Sequence, residues 1–283
     1  MLRHTKKYCA ITLIEFLIAV GIVALLLALL LPAVQKIRLA ASVIREKNKV
    51  RQICLALHTF EDTHSYLNHG NVFYDILPYL DNGIYYDDLR GKKLNSSIYI
   101  NIYVNDDDPS KPVHLEEKGA SSYAYNALIH GNPMSNRNAI VRDGMSNTVE
   151  ITSRYARIDF ERGNLHYRYM RFWVLSVVEA FLDVVVPQPE ENRVTVINFL
   201  PPSFACRETR DVLPGSPEAA VLTFQAKPPV DQADYRIPQS PYSHGLLVGM
   251  ADGSVRMVSP NVSPRTFWAA VSPNGGDLLG PDW

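Results

Sequence analysis

The sequence predicts an α+β protein in which one long N-terminal helix, membrane-spanning in its first half, packs on an antiparallel β-sheet domain. An almost wholly apolar run opens the chain and an amphipathic helical stretch continues it. Short alternating or apolar runs bounded by turn residues fill the remainder. The chain has 283 residues, 47% hydrophobic and 20% charged, with a formal net charge of −1, which gives length enough for one sizeable core. Its balanced charge lacks the basic excess of a nucleic-acid binder. Cys9, Cys54 and Cys206 are scattered and form no CxxC pair, so they point to neither a disulfide scaffold nor a zinc or thioredoxin motif. A Cys54–Cys206 bridge stays open as a reading for an oxidising compartment.

From Ile11 to Val34 the single charged side chain is Glu15, and Phe16 to Leu31 carries no polar side chain. A helix of this length spans about 35 Å, enough to cross the hydrocarbon layer. The run is longer than the roughly 7–15 apolar residues of a cleaved secretory signal, and it gives way to Pro32 and a basic helix. Cys9 precedes it, the reverse of a lipoprotein signal. A plain anchor gives no reason for Glu15, because a lone carboxylate in hydrocarbon costs several kcal/mol unless it meets a partner. A cut just before the run would supply one: a free α-amino group in the same membrane layer of a neighbouring subunit.

A basic leader followed by "AITLIEFLIAVGIVALLLALLLPAVQ" resembles the prepilin N-terminal motif of type IV pilins and type II secretion pseudopilins. The resemblance implies a leader at 1–10, cut by a prepilin peptidase between Ala10 and Ile11, methylation of Ile11, and an assembly role for Glu15. It also implies a single span (11–34) in the lipid of the inner, cytoplasmic membrane, an extracytoplasmic C-terminal domain, and homo- or hetero-oligomers with other pilin-like subunits. This chain departs from the family in placing Ala10 where glycine precedes the cut and isoleucine where phenylalanine follows. Charge counting points the other way on topology: Lys36, Arg38, Arg45, Lys47, Lys49 and Arg51 after the span outnumber Arg3, Lys6 and Lys7 before it, which alone would keep the C-terminal side in the cytoplasm.

Residues 35–69 form the amphipathic continuation of the helix. Pro32 predicts a kink. Val43, Val50, Ile53, Leu57 and Phe60 fall near one stripe, with Arg45, Glu46, Lys49 and Arg51 largely off it. The β-rich domain is expected over 70–283. "SSIYINIYV" (96–104) alternates strictly, placing Ile98, Ile100, Ile102 and Val104 on one face and Tyr99, Asn101 and Tyr103 on the other, the period of a half-buried strand. Further strands are predicted at 147–151, 166–178, 194–200 and 221–224. "GLLVGMADGSVRMVS" reads as a hairpin whose Asp252-Gly253 turn supplies positive φ angles. Nineteen prolines, many between Pro187 and Pro241, suggest long surface connections and mark 187–239 as an insertion.

The stretches "LALHTFEDTHSYL", "ILPYLDNGIYYDDL", "SSYAYN", "VRDGMSNTVEI" and "SHGLLVGMADGSVRMVS" follow in order the landmarks of a pilin-like family abundant in planctomycetes, domain of unknown function 1559. That resemblance covers nearly the whole chain and implies no assigned molecular role. Two cysteines common in the family correspond to Glu46 and Asn105 here. Their joint loss implies a helix-to-sheet disulfide in relatives, and places Glu46 near Asn105. Relatives space His and Asp-Gly by nine residues, whereas seven separate His244 from Asp252.

Ser243, His244 and Asp252 invite a triad reading, but neighbouring side chains on a strand point to opposite faces. His244 fits a bracing hydrogen bond at the hairpin better. His58, His64 and His69 lack the helical spacing of a metal site. Asp106, Asp107 and Asp108 are candidates for calcium, although a contiguous acidic run before Pro109 reads more simply as a solvated turn. Asp143, Gly144, Ser146 and Asn147, like Asp252 and Gly253, suit structural turns that could also hold a ligand. These residues support no catalytic or metal assignment and no cofactor. They fit a non-enzymatic, membrane-anchored pilin-like protein, or alternatively a monomeric tethered binding protein.

Overall fold

The computed structural model describes residues 13–67, 72–80, 100–111, 121–130, 136–162, 165–171, 183–188, 193–200, 203–204, 223–234 and 237–283. Helix α1 spans Leu13–His64, 52 residues with Pro32 inside it. Pro32 therefore does not end the helix. Two compact units divide the chain, one ending at Arg45 and the other running Glu46–Trp283.

In the first unit the apolar side chains of α1 are half or more exposed, from Leu13 at 82% to Leu39 at 51%. This stretch is long and apolar enough to cross a membrane.

In the second unit Val50, Ile53, Leu57 and Phe60 of α1 are buried, as their spacing predicts, and Cys54 is buried beside them. Val43, placed on the same stripe, precedes this unit and is only partly covered. Glu46, expected off that stripe, is also wholly buried. The helix stops at His64, followed by Ser65 in the left-handed region at φ 62°.

The central sheet has the order β11-β10-β2-β1-β7, built from β1 (Tyr123–Asn126), β2 (Val149–Ser153), β7 (Ser203–Phe204), β10 (Leu246–Met250) and β11 (Val255–Val258). Its first four strands pair antiparallel, and β7 joins β1 in parallel. The fold is α+β, as predicted. One face of the sheet, with Tyr123, Tyr125, Ile151 and Leu247, packs on α1 together with Phe73, Ile76 and Tyr103. Ala124, Leu246, Val248 and Met250 pack instead with Phe267, Trp268 and Val271 of the C-terminal helix Pro264–Val271. That helix starts where Ser263 Oγ accepts from Thr266 N–H and Pro264 occupies the first turn. Coverage on both sides explains why β2 and β10 are buried throughout rather than alternately.

A second sheet runs β3-β4-β6-β5, from β3 (Arg157–Arg162), β4 (Leu165–Arg171), β5 (Asp183–Gln188) and β6 (Arg193–Leu200). Position 187, the expected start of the insertion, falls inside β5. The strands predicted at 166–178 and 194–200 correspond to β4 and β6, while 172–178 lie outside the described residues. Of the strand predicted at 221–224, residues 221–222 lie outside the described residues and 223–224 are not strand; β8 is Gln225–Ala226, paired in parallel with β9 (Gln239–Ser240).

The strand predicted at 96–104 is corrected. Its described part contains a 3₁₀ turn, Asn101–Tyr103, closed by Tyr103 N–H to Ile100 O and Val104 N–H to Asn101 O at 3.0 and 3.2 Å. Tyr103, expected to face solvent, is fully buried, stacks on Phe73 with centroids 4.9 Å apart, and donates its hydroxyl to Phe73 O. Burying an aromatic ring with its hydroxyl satisfied outweighs the alternation. The predicted hairpin is present as β10–β11, with a modified turn: Gly253 alone has positive φ, +81°. Gly253 N–H bonds Met250 O and Met250 N–H bonds Ser254 O, the pattern of a type I turn closed by a left-handed glycine.

Candidate functional site

The two turns singled out in the sequence lie side by side. Ala251 N–H donates to Thr148 O and Asp252 N–H to Met145 O, at 2.8 and 3.1 Å. Gly144 has φ +103°, and its carbonyl accepts from Asn147 N–H and Thr148 Oγ1. Asp143 turns away from the hairpin and accepts from Gly275 and Gly276 N–H at 2.7 and 2.9 Å. Ser146 O accepts from Arg256, whose guanidinium lies 5.4 Å from the Trp283 ring centroid. Asp252 Oδ1 accepts from Ser254 N–H. These residues tie the sheet edge to the C-terminal segment, each through its own donors.

His244 stands apart from them. It is exposed beyond the far end of β10 from Asp252, and the five residues of that strand extend about 16 Å. Its contact is the Tyr242 ring, 5.5 Å between centroids, in place of the expected bracing hydrogen bond. No triad can form from these positions.

Behind the paired turns sits a charged cluster that the sequence reading missed. Arg137, 3% exposed, donates from Nη1 to Glu150 Oε2 at 2.7 Å and to Ala251 O at 2.9 Å. Its Nε and backbone N–H grip both oxygens of Glu61, at 3.0 and 2.7 Å. His58 Nε2 lies 3.1 Å from Nη1, and His130 Nε2 lies 3.0 Å from Glu150 Oε1. Burial works against the charge on Glu150, yet Arg137 above all, with His130, holds its carboxyl below the usual range. Burial likewise opposes the Arg137 charge, and Glu150 and Glu61 more than offset it. Its one sequence signal was a glutamate in the middle of an otherwise strand-like "VEITS". A cavity of about 480 Å³ opens beside it, lined by His58, Asp62, Asn136, Arg137, Met145 and Asp252 among others. Of the other two histidines of the sequence cluster, His64 stacks on Phe60, centroids 4.2 Å apart, and His69 lies outside the described residues.

A second polar knot joins α1 to the turn after Tyr103. Glu46 accepts from the Tyr123 hydroxyl, pairs with Lys49 at 3.1 Å, and reaches Asp106 N–H at 3.5 Å. Lys49 Nζ also donates to Val104 O at 2.8 Å. Glu46 thus meets the Asn105–Asp106 turn, the neighbourhood expected from the paired departures at those positions. The three carboxylates that follow diverge. Asp106 faces Lys49 at 3.6 Å and Asp107 accepts from the Tyr242 hydroxyl at 3.0 Å. Asp108, buried rather than solvated, accepts from Ser110 N–H and Oγ, Ser122 Oγ and Ala156 N–H. Burial still raises its pKa above the ordinary carboxylate value. Among the described residues no group of three potential ligands converges on one point. Cys54 is a free, buried thiol; Cys206, like Ala10 and Ile11, lies outside the described residues.

Glu15 lies in the first turn of α1. Comparison with known protein families, with curated proteins and with solved structures finds no match to this chain.

Proposed function

We infer that this chain is a non-enzymatic, membrane-anchored, pilin- or pseudopilin-like structural protein that displays its β-rich unit outside the inner membrane. One observation carries the reading: the helix that exposes its apolar side chains along Leu13–Leu39 also holds Glu15 in its first turn. A carboxylate at that depth can pair with a neighbour's amine when such helices pack together. The prepilin-like leader and the planctomycete-family landmarks support the same reading. The partners are then membrane lipid, a prepilin peptidase and other pilin-like subunits. The test is the intact mass and N-terminal sequence of protein recovered from its native membrane. A chain beginning at methylated Ile11 supports assembly; a chain retaining residues 1–10 overturns it.

The cavity beside Arg137 favours a second reading, a monomeric binding protein tethered by its helix. Glu15→Leu separates the two. It abolishes multimers in the first and leaves the monomer and its localisation unchanged in the second.

A further inference from the structure

We propose that His58 is a two-position proton switch: neutral, it accepts a hydrogen bond from Arg137; protonated, it turns into the adjacent cavity toward Asp62. The starting position follows from hydrogen-bond inventory. Arg137 Nη1 lies 3.1 Å from His58 Nε2, and a guanidinium has donors only. Nη1 has two hydrogens, which also serve Glu150 Oε2 and Ala251 O, so His58 shares one of them as a third, longer acceptor. A hydrogen on Nε2 would point at a cation, which leaves Nε2 bare and the proton on Nδ1. Protonating Nε2 would remove the bond and set two cations against each other at that distance.

Arg137 cannot yield. It is 3% exposed, cannot deprotonate, and is fixed by Glu150, Glu61 and Ala251 O. His58 can yield, because it is half-buried and lines a cavity of about 480 Å³. Asp62 lines the same cavity, is exposed, and follows His58 by four residues, so the two are neighbours on one helical face. Among the described residues Asp62 makes no ion pair. The imidazolium therefore has both a place to go and a carboxylate to meet.

The groups facing His58 come from every side of this junction: Glu61 and Asp62 from α1, Arg137 from the short helix Arg137–Ile140, Glu150 from β2 and Asp252 from the hairpin tip. His130 is engaged by Glu150. Burial, then Arg137, holds His58 below its ordinary pKa against the pull of Glu150, Glu61 and Asp62. A base so depressed contributes stability above its unfolded value of about 6.5, and that contribution is lost as pH falls through the folded value. Acidification then weakens the hold of Arg137 on the hairpin tip and on its own short helix.

The experiment uses the full chain in detergent micelles with ¹⁵N-labelled histidine, together with amide exchange at Val141 and Gly253, whose N–H groups bond Arg137 O and Met250 O. The expected results are an Nδ1–H tautomer for His58 at pH 7.5 and, after correction for intrinsic rates, protection falling by at most about tenfold per pH unit, the slope of one bound proton, between the unfolded value of about 6.5 and the lower folded value, and levelling below it. His58→Gln, whose amide oxygen still accepts from Arg137, flattens that slope. Asp62→Asn moves the transition to lower pH. An Nε2–H tautomer in the unmodified chain, a pH response that survives His58→Gln, one abolished by His130→Gln alone, or no effect of Asp62→Asn would each overturn the proposal.

Discussion

Gly249 of β10 lies directly against Cys54 of α1: a Cβ at position 249 would stand 2.6 Å from Cys54 Sγ and 2.9 Å from Val50 Cγ1. The missing side chain sets how closely helix and sheet approach. Gly249→Ala is expected to destabilise the second unit by about 2 kcal/mol, the usual cost of overpacking a filled core. Cys54→Ala in the same chain should recover part of that loss, and urea unfolding of the two variants and the double variant measures the coupling.

Glu46 is fully buried between Tyr123 and Lys49. Glu46→Ala strips the Tyr123 hydroxyl of its acceptor and leaves Lys49 only Val104 O and the more distant Asp106, and should cost about 3 kcal/mol. Glu46→Gln keeps an acceptor for the Tyr123 hydroxyl and should cost less. Equal losses in thermal unfolding would mean that the carboxylate's hydrogen bond to Tyr123 contributes nothing.

Because Glu46 reaches the amide of Asp106, Glu46→Cys with Asn105→Cys should form a disulfide between α1 and the turn. Peptide mapping under non-reducing conditions reads the cross-link directly. Failure to oxidise would place the two Cα atoms beyond the roughly 7 Å that a bridge allows.

Asp75, largely buried with weak compensation from His64, has its carboxyl pushed up to about 6. An acid whose folded pKa is raised favours the protonated fold, so its contribution declines as pH climbs from about 4 through about 6 and is level above that. Asp75→Asn should therefore stabilise the protein by about 2 kcal/mol at pH 8 and by little at pH 4. Denaturation midpoints at the two pH values give the sign.

Asp143 accepts from two consecutive backbone amides, Gly275 and Gly276. Asp143→Ala should cost about 1 kcal/mol and raise amide exchange at 275–276, while the Gly144–Asn147 turn keeps its own bonds. Unchanged exchange there would remove the carboxylate's role as a clamp on the C-terminal segment.

Patterns confined to a few neighbouring residues were legible in the sequence: the apolar run of α1, the stripe from Val50 to Phe60, the β10–β11 hairpin and the strands near 149, 166 and 194. The reading failed where a distant contact overrode local period. The alternation around Ile100–Val104 gave way to the site that Phe73 offers Tyr103. Likewise Glu46, polar and off the stripe, went inside because Tyr123 and Lys49 meet it there.

The candidate site divides the same way. Turn residues such as Gly144 and Gly253 announce themselves by chemistry, since a left-handed backbone favours glycine. The Arg137 cluster draws on α1, two short helices, β2 and the hairpin tip, so no spacing along the chain could mark it. By itself the sequence determined that this protein carries a long apolar helix joined to an α+β unit, because apolarity and periodicity are properties of adjacent residues. Tertiary structure alone decided which charges are buried and with whom, because burying a charge is tolerable only where partners from remote segments converge.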